Sequence, residues 1–238
     1  MLGVARSRRL ADMHLMIPNL TYEDRRRSLG RLALWWVETF SLIGRGGATG
    51  KPVTHSPEYI QFYLNAYALK PDGRRRFNRV SLWRAKGCNK SGLGNDLALF
   101  EAFGPCRFDH WAKPGETYTF LGQTYYYLPG EPVGRPAQRP EILCLATSED
   151  QSGNIFDSIY YNCTSGPLAQ LQGFGMEVTK TRIGLPEGGE IIPTTSGDAS
   201  KDGGLETFAL MDEVHLYTLP KHHSMYKTVT RNLPKRSL

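Results

Sequence analysis

Two short stretches of this chain carry residue types that could do chemistry together. In the first, an apolar run from Phe208 to Met211 ends in Asp212-Glu213. Read as a central buried strand, it delivers two adjacent carboxylates to the carboxyl edge of a sheet, where α/β proteins bind ligands. An aspartate so placed can help hold Mg2+, and a glutamate beside it can orient and polarise an attacking water. An ordinary strand closed by a charged turn has the same appearance, so the pair says little by itself. The second stretch is Arg84-Ala85-Lys86-Gly87-Cys88-Asn89-Lys90-Ser91-Gly92. Here the Lys90 ammonium suits the β and γ phosphates of a nucleotide and the Ser91 hydroxyl suits Mg2+. The backbone from Ala85 to Lys90, through Gly87, Cys88 and Asn89, can wrap phosphates with its N–H groups. The strict GxxxxGK[ST] pattern is altered, with Arg84 at the leading glycine and Asn89 at the second. Asparagine tolerates a left-handed backbone better than most residues, so such a loop can still close. Asp212 follows Ser91 by 121 positions, in the order a P-loop nucleoside-triphosphatase uses, and the two stretches together say more than either alone.

For these groups to meet, regular elements must carry them. Phe77 to Trp83 alternates and predicts a strand before the loop, while Leu97 to Phe103 predicts a helix after it. Strand, glycine loop and helix in that order aim backbone N–H groups at an anion. Gly92-Leu93-Gly94-Asn95-Asp96 makes a poor first helical turn and brings a carboxylate near the phosphates, which would repel a nucleotide if it pointed inward. Ser56-Pro57-Glu58 marks another helix start, with serine as N-cap and proline at the first position. Glu141 to Ser148 reads as a buried strand, and a polar turn then leads into a helix from Asn154 to Asn162. Met176–Leu185 and Glu190–Ser196 read as two further short strands, and Thr117–Gly130 as an inserted aromatic hairpin. Alternating strands and helices predict an α/β fold with a mainly parallel central sheet. Ahead of it, Arg31 to Ile43 has the apolar spacing of an amphipathic helix with Trp35-Trp36 facing a core, and Gly44–Pro52 reads as a linker. The expected organisation is therefore a helical segment and linker over 1–50 and a main domain over 51–238.

At 238 residues and 40% hydrophobic, the chain can bury a sizeable core. A net charge of +6, concentrated in Arg25-Arg26-Arg27 and Arg74-Arg75-Arg76, suits a polyanionic partner, although a solvated basic face gives the same count. Cys88, Cys106, Cys144 and Cys163 lie far apart without a CxxC pair, which points to reduced thiols and not to a disulfide or zinc framework. No apolar stretch reaches membrane-spanning length and the basic start lacks an h-region, so a soluble intracellular protein is expected. His222-His223 reads as a surface or partner contact, since neighbouring helical histidines diverge and no third ligand is close in sequence. His215 reads as structural.

Four segments resemble those of a known family, and in the right order. RAKGCNKSG resembles the deviant Walker A loop of tailed-phage terminase large subunits, and ALMDEVHLY their Walker B strand with its catalytic glutamate. LATSEDQSGNIFD and SPEYIQFYLNAYALKPDGRRRF resemble, respectively, the second-strand segment and the adenine-side helix of the actinobacterial-phage type. The resemblance runs from about Pro57 to Lys235. It implies an ATPase domain of the ASCE P-loop type that uses ATP and Mg2+. Within that domain Lys90 and Ser91 would lie on phosphates and metal, Lys86 would be the extra basic loop residue, Asp212 would hold the metal and Glu213 would activate water. Adenine would meet Tyr59 or Gln61. Glu149, Asp150 and Gln151 would lie toward the γ-phosphate, with helix capping as their favoured role. The implied partners are duplex DNA, the phage portal, the terminase small subunit and further copies in a ring, within the host cytoplasm, with an arginine from a neighbouring copy completing each site. The family's nuclease domain and coupling motif do not follow Asp212-Glu213, so a fragment or split gene without DNA cleavage is expected. The altered loop leaves a second possibility, a non-enzymatic domain that binds DNA or the portal.

Overall fold

A computed structural model describes residues 20–146, 149–194 and 204–233, the side chains of 149–154 excepted. Its helices are α1 (Tyr22–Arg26), α2 (Gly30–Phe40), α3 (Pro57–Ala66), α4 (Lys90–Phe103), α5 (Glu149–Ser165) and α6 (Pro220–Asn232). The main sheet has five strands in the order β6 (Glu177–Val178), β7 (Ile183–Gly184), β8 (Glu190–Thr194), β5 (Glu141–Leu145) and β9 (Phe208–Met211). Strands β8, β5 and β9 run parallel, whereas β6 and β7 pair antiparallel with each other and β7 with β8. Alternation along β5 builds two layers of core. Ile142 and Cys144 join the cluster of Leu32, Trp36, Ala98, Phe100 and Phe156, while Leu143 and Leu145 face Met225 and Val229 of α6. The sheet is therefore covered on both faces, as its apolar strands require.

Local signals account for the helices that position the site. In α2, Leu32, Ala33, Trp36, Val37 and Phe40 recur at helical spacing and are all buried, with Trp36 edge-on to Phe100 of α4 at 5.8 Å. Helix α3 opens where serine and proline predict it, the Ser56 hydroxyl accepting the Tyr59 N–H at 3.4 Å. Helix α4 lies close on β9 because Gly94 has no side chain, and a Cβ there would come 2.8 Å from a Leu210 methyl.

Several expectations need correction. The sheet is mixed, since Met176–Leu185 folds as the tight β6–β7 hairpin instead of one strand. Strand β9 is half-buried at the sheet edge and not central, pairing among the described residues with β5 alone. Phe77 to Trp83 forms no strand. A strand needs a neighbour for its N–H and C=O groups, and this segment also leaves Val80 and Trp83 exposed, so its alternation marks no buried face. The hairpin β2 (Thr117–Phe120) and β3 (Gln123–Tyr126) forms as read, but in the chain it lies between the two strands of an unforeseen ribbon, β1 (Arg107–Trp111) and β4 (Pro132–Arg135). Helix α5 begins at Glu149, which places Glu149, Asp150 and Gln151 on it with side chains outside the described set, as are residues 196–203.

Five of the six arginines in the two runs lie beside carboxylates of the molecule. Arg75 reaches Glu101 at 2.7 Å, Arg76 and Arg27 reach Asp24 at 2.6 and 3.2 Å, Arg26 lies 3.8 Å from Glu23, and Arg74 lies 3.8 Å from Asp72. A net charge does not say which carboxylate lies beside which cation, and here Arg75 and Arg76 tie the turn after α3 to α4 and to α1. No helix among the described residues is long and apolar enough to cross a membrane.

Candidate functional site

The loop between Arg84 and Lys90 closes through two left-handed residues, Gly87 at φ 88° and Asn89 at φ 53°, ψ 36°. Asn89 thus adopts the conformation a glycine would supply, and its carbonyl accepts the Leu93 N–H at 3.1 Å to start α4. Its side chain folds over Gly92, where a Cβ would lie 2.2 Å from Asn89 Oδ1, so the asparagine depends on the glycine three residues on. Lys90 Nζ donates to the Ala85 carbonyl at 3.2 Å and spans the loop, and Lys86 is exposed on it. The first turn of α3 grips both ends of the loop, the Glu58 carboxylate pairing with Arg84 and the Tyr59 hydroxyl donating to the Cys88 carbonyl.

The parallel β5–β9 pair and the close approach at Gly94 bring the start of α4 to the end of β9. The Asp212 N–H donates to the Leu145 carbonyl at 3.1 Å. Its Oδ2 accepts from Ser91 Oγ at 3.0 Å, and its Oδ1 accepts the Glu213 N–H at 2.9 Å. The hydroxyl and carboxylate that the sequence places 121 residues apart are therefore in direct contact. Glu213 is itself left-handed at φ 50°, a conformation that costs a non-glycine residue about 1–2 kcal/mol. It begins a 3₁₀ turn, Val214–Leu216, and its Oε2 lies 3.2 Å from Nε2 of His215.

Beside the loop opens a cleft of about 380 Å³ lined by residues that include Val53, His55, Tyr59, Cys88, Leu93 and Asp96. Asp96 is buried there, with Oδ2 3.7 Å from His55 Nε2, while His55 Nδ1 lies 3.1 Å from Glu38 of α2. Burial pushes the Asp96 carboxyl up to about 6 against the opposing pull of His55. Burial pulls His55 down, but its contacts with Asp96 and Glu38 leave it above the ordinary histidine value. The carboxylate expected to repel a nucleotide if it pointed inward is met here by an imidazole.

Gln61 takes no part in this cleft, its amide donating along its own helix to Asn65 Oδ1 at 2.8 Å. His222 is buried against the Tyr217 ring at 5.8 Å while His223 is exposed, so the pair is not the surface contact its spacing indicates. His55 and Glu38 had no signal in the sequence, since a lone histidine in a short connection gives none. All four cysteines are free. Among the described residues no group of three or more His, Cys, Asp or Glu side chains is placed to hold a metal.

No family model matches the chain. Two curated proteins do, the Gene 13 protein of Mycobacterium phage L5 and that of Mycobacterium phage D29, each 26% identical over 184 residues that cover 75% of this chain. The match spans 28% of the length of each relative. Among solved structures, the HK97 bacteriophage large terminase superposes with a TM-score of 0.60 at 17% identity, over 86% of this chain and 36% of that one. The mycobacteriophage relatives and the shared fold bear out the resemblance read from the motifs.

Proposed function

We propose that this chain, which has the fold of a tailed-phage large terminase and relatives in two mycobacteriophages, is a P-loop ATPase domain driving the packaging of duplex DNA. The observation that carries the reading is the 3.0 Å contact between Ser91 Oγ and Asp212 Oδ2. A hydroxyl and a carboxylate are hard oxygen donors, and Mg2+ is commonly held by one or two such protein groups together with substrate phosphates and water. A richer protein cage is not required. When bound, Mg2+ would neutralise charge on the β and γ phosphates.

In this reading Lys90 exchanges the Ala85 carbonyl for phosphate oxygens, with the loop N–H groups from Gly87 to Lys90 beside it. Lys86 adds a second cation from the exposed side. Glu213 orients the attacking water, and the base enters the cleft beside Tyr59. The portal, the small subunit, duplex DNA and neighbouring copies are the partners of this reading, one copy lending an arginine to the next.

Titration of a fluorescent ATP analogue with Mg2+ tests it. The chain is expected to bind, and Lys90→Ala to weaken binding about 100-fold, roughly 2.8 kcal/mol. No binding at millimolar nucleotide would overturn the ATPase reading and leave a DNA- or portal-binding module. The same titration addresses the grip on the loop. Tyr59→Phe removes the donor to the Cys88 carbonyl and should weaken binding by about 5–10-fold, roughly 1 kcal/mol, with little change in melting temperature. Unaltered affinity would show that the loop keeps its shape without the tyrosine.

A further inference from the structure

We infer that His215 is a positioning residue that fixes the direction of the Glu213 carboxylate. This rests on the ATPase reading above and adds to it the group that aims its glutamate. Three observations converge. Glu213 sits in the left-handed region at φ 50°, a conformation unfavourable for its side chain that turns the chain sharply out of β9. The 3₁₀ turn that follows is closed by the Leu216 N–H on the Glu213 carbonyl at 2.7 Å and the Tyr217 N–H on the Val214 carbonyl at 3.1 Å. Tyr217 anchors the far end of the turn, its hydroxyl donating to the Leu145 carbonyl of β5 at 3.4 Å. That turn brings the His215 ring back over Glu213, with Nε2 3.2 Å from Oε2.

The contact contributes little to stability, because both side chains are open to solvent, 56% for His215 and 37% for Glu213. Its consequence is orientational. A glutamate has three rotatable side-chain bonds, and a carboxylate left to sample them spends only part of its time facing a substrate water. With Oε2 held by the imidazole, Oε1 remains available to that water, while Asp212 is occupied separately by Ser91 Oγ and the Glu213 N–H. The two acidic groups are thereby kept to different tasks.

Mg-dependent phosphate release by the wild type, His215→Ala, His215→Gln and Glu213→Gln tests this, with melting curves recorded for each. His215→Ala should lower kcat about 10-fold and leave the KM for ATP and the melting temperature essentially unchanged. His215→Gln, whose amide can donate to a carboxylate, should recover most of the lost rate. An unchanged or raised kcat in His215→Ala overturns the inference, the raised value meaning that the ring restrains the glutamate. A loss confined to KM, or no recovery with glutamine, overturns it as well. Full activity in Glu213→Gln removes the glutamate from the reaction and with it the positioning role, while the hydrolysis measured leaves the ATPase assignment standing. An indifferent His215 alongside a required Glu213 sinks only the positioning role. Absence of hydrolysis by the wild type overturns both.

Discussion

Glu213→Gln is expected to reduce MgATP hydrolysis by about 10²–10³-fold while nucleotide binding stays close to that of the wild type. Glutamine has the size of glutamate and meets the same left-handed backbone at φ 50°, so the turn into the 3₁₀ segment should survive. What is lost is the negative charge that polarises water and receives its proton as the new bond forms. The neighbouring contact of Ser91 with Asp212 does not pass through the Glu213 side chain, so the metal and phosphate ligands should remain in place. Phosphate release under saturating MgATP, set beside the fluorescence titration, separates the two effects. Wild-type turnover in the variant would take Glu213 out of the mechanism, and a matching fall in affinity would mean that it serves the ground state.

A second large effect is expected at Glu101, on the far half of the helix that begins with Lys90. Its carboxylate is fully buried and accepts from Arg75 at 2.7 Å, Arg107 at 2.6 Å and the Tyr67 hydroxyl at 3.0 Å. Three segments of chain thus converge on one side chain. Glu101→Ala leaves two largely buried guanidiniums facing each other without the anion between them, and should cost about 3–5 kcal/mol of stability, read by urea denaturation. The acid limb of stability follows from the same network. Burial pushes the Glu101 carboxyl up, but Arg107 and Arg75 together outweigh it and hold it down at about 2. Because the folded value lies below the unfolded one of about 4.3, the stabilisation is complete above that pH and disappears as pH falls toward 2. Glu101→Gln should flatten the stability profile across this window. A loss under 1 kcal/mol would show that solvent, which reaches about a quarter of each arginine, relieves the two cations unaided.

What could be read in advance, and what could not, divides by the range of the interaction. The helix start at Ser56-Pro57 and the buried stripe of α2 were legible because each depends on residues within a turn or two. Asn89 was legible as a substitute for glycine because its backbone preference belongs to the residue itself. Phe77 to Trp83 misled because alternation describes which way side chains would point if a strand existed, while its existence depends on a neighbour to pair with. Tyr59 and Gln61 are only two positions apart on one helix, yet one reaches the loop and the other only its own helix, a difference set by how α3 lies against the loop.

The sequence by itself determined the inventory: an amine, a hydroxyl and two carboxylates in a fixed order, a loop able to turn left-handed, and apolar periods sufficient for an α/β core. Tertiary structure decided the partnerships, joining Ser91 to Asp212, Asp96 to His55, Glu101 to Arg75 and Arg107, and Glu213 to His215. The reason is physical. Ser91 meets Asp212 only when the pairing of β5 with β9 and the close packing of α4 on β9 bring their segments together. Asp96 and Glu101 find His55 and Arg75 only because α4 lies beside segments tens of residues earlier, and the contact of Glu213 with His215 depends on a strained turn at the end of β9.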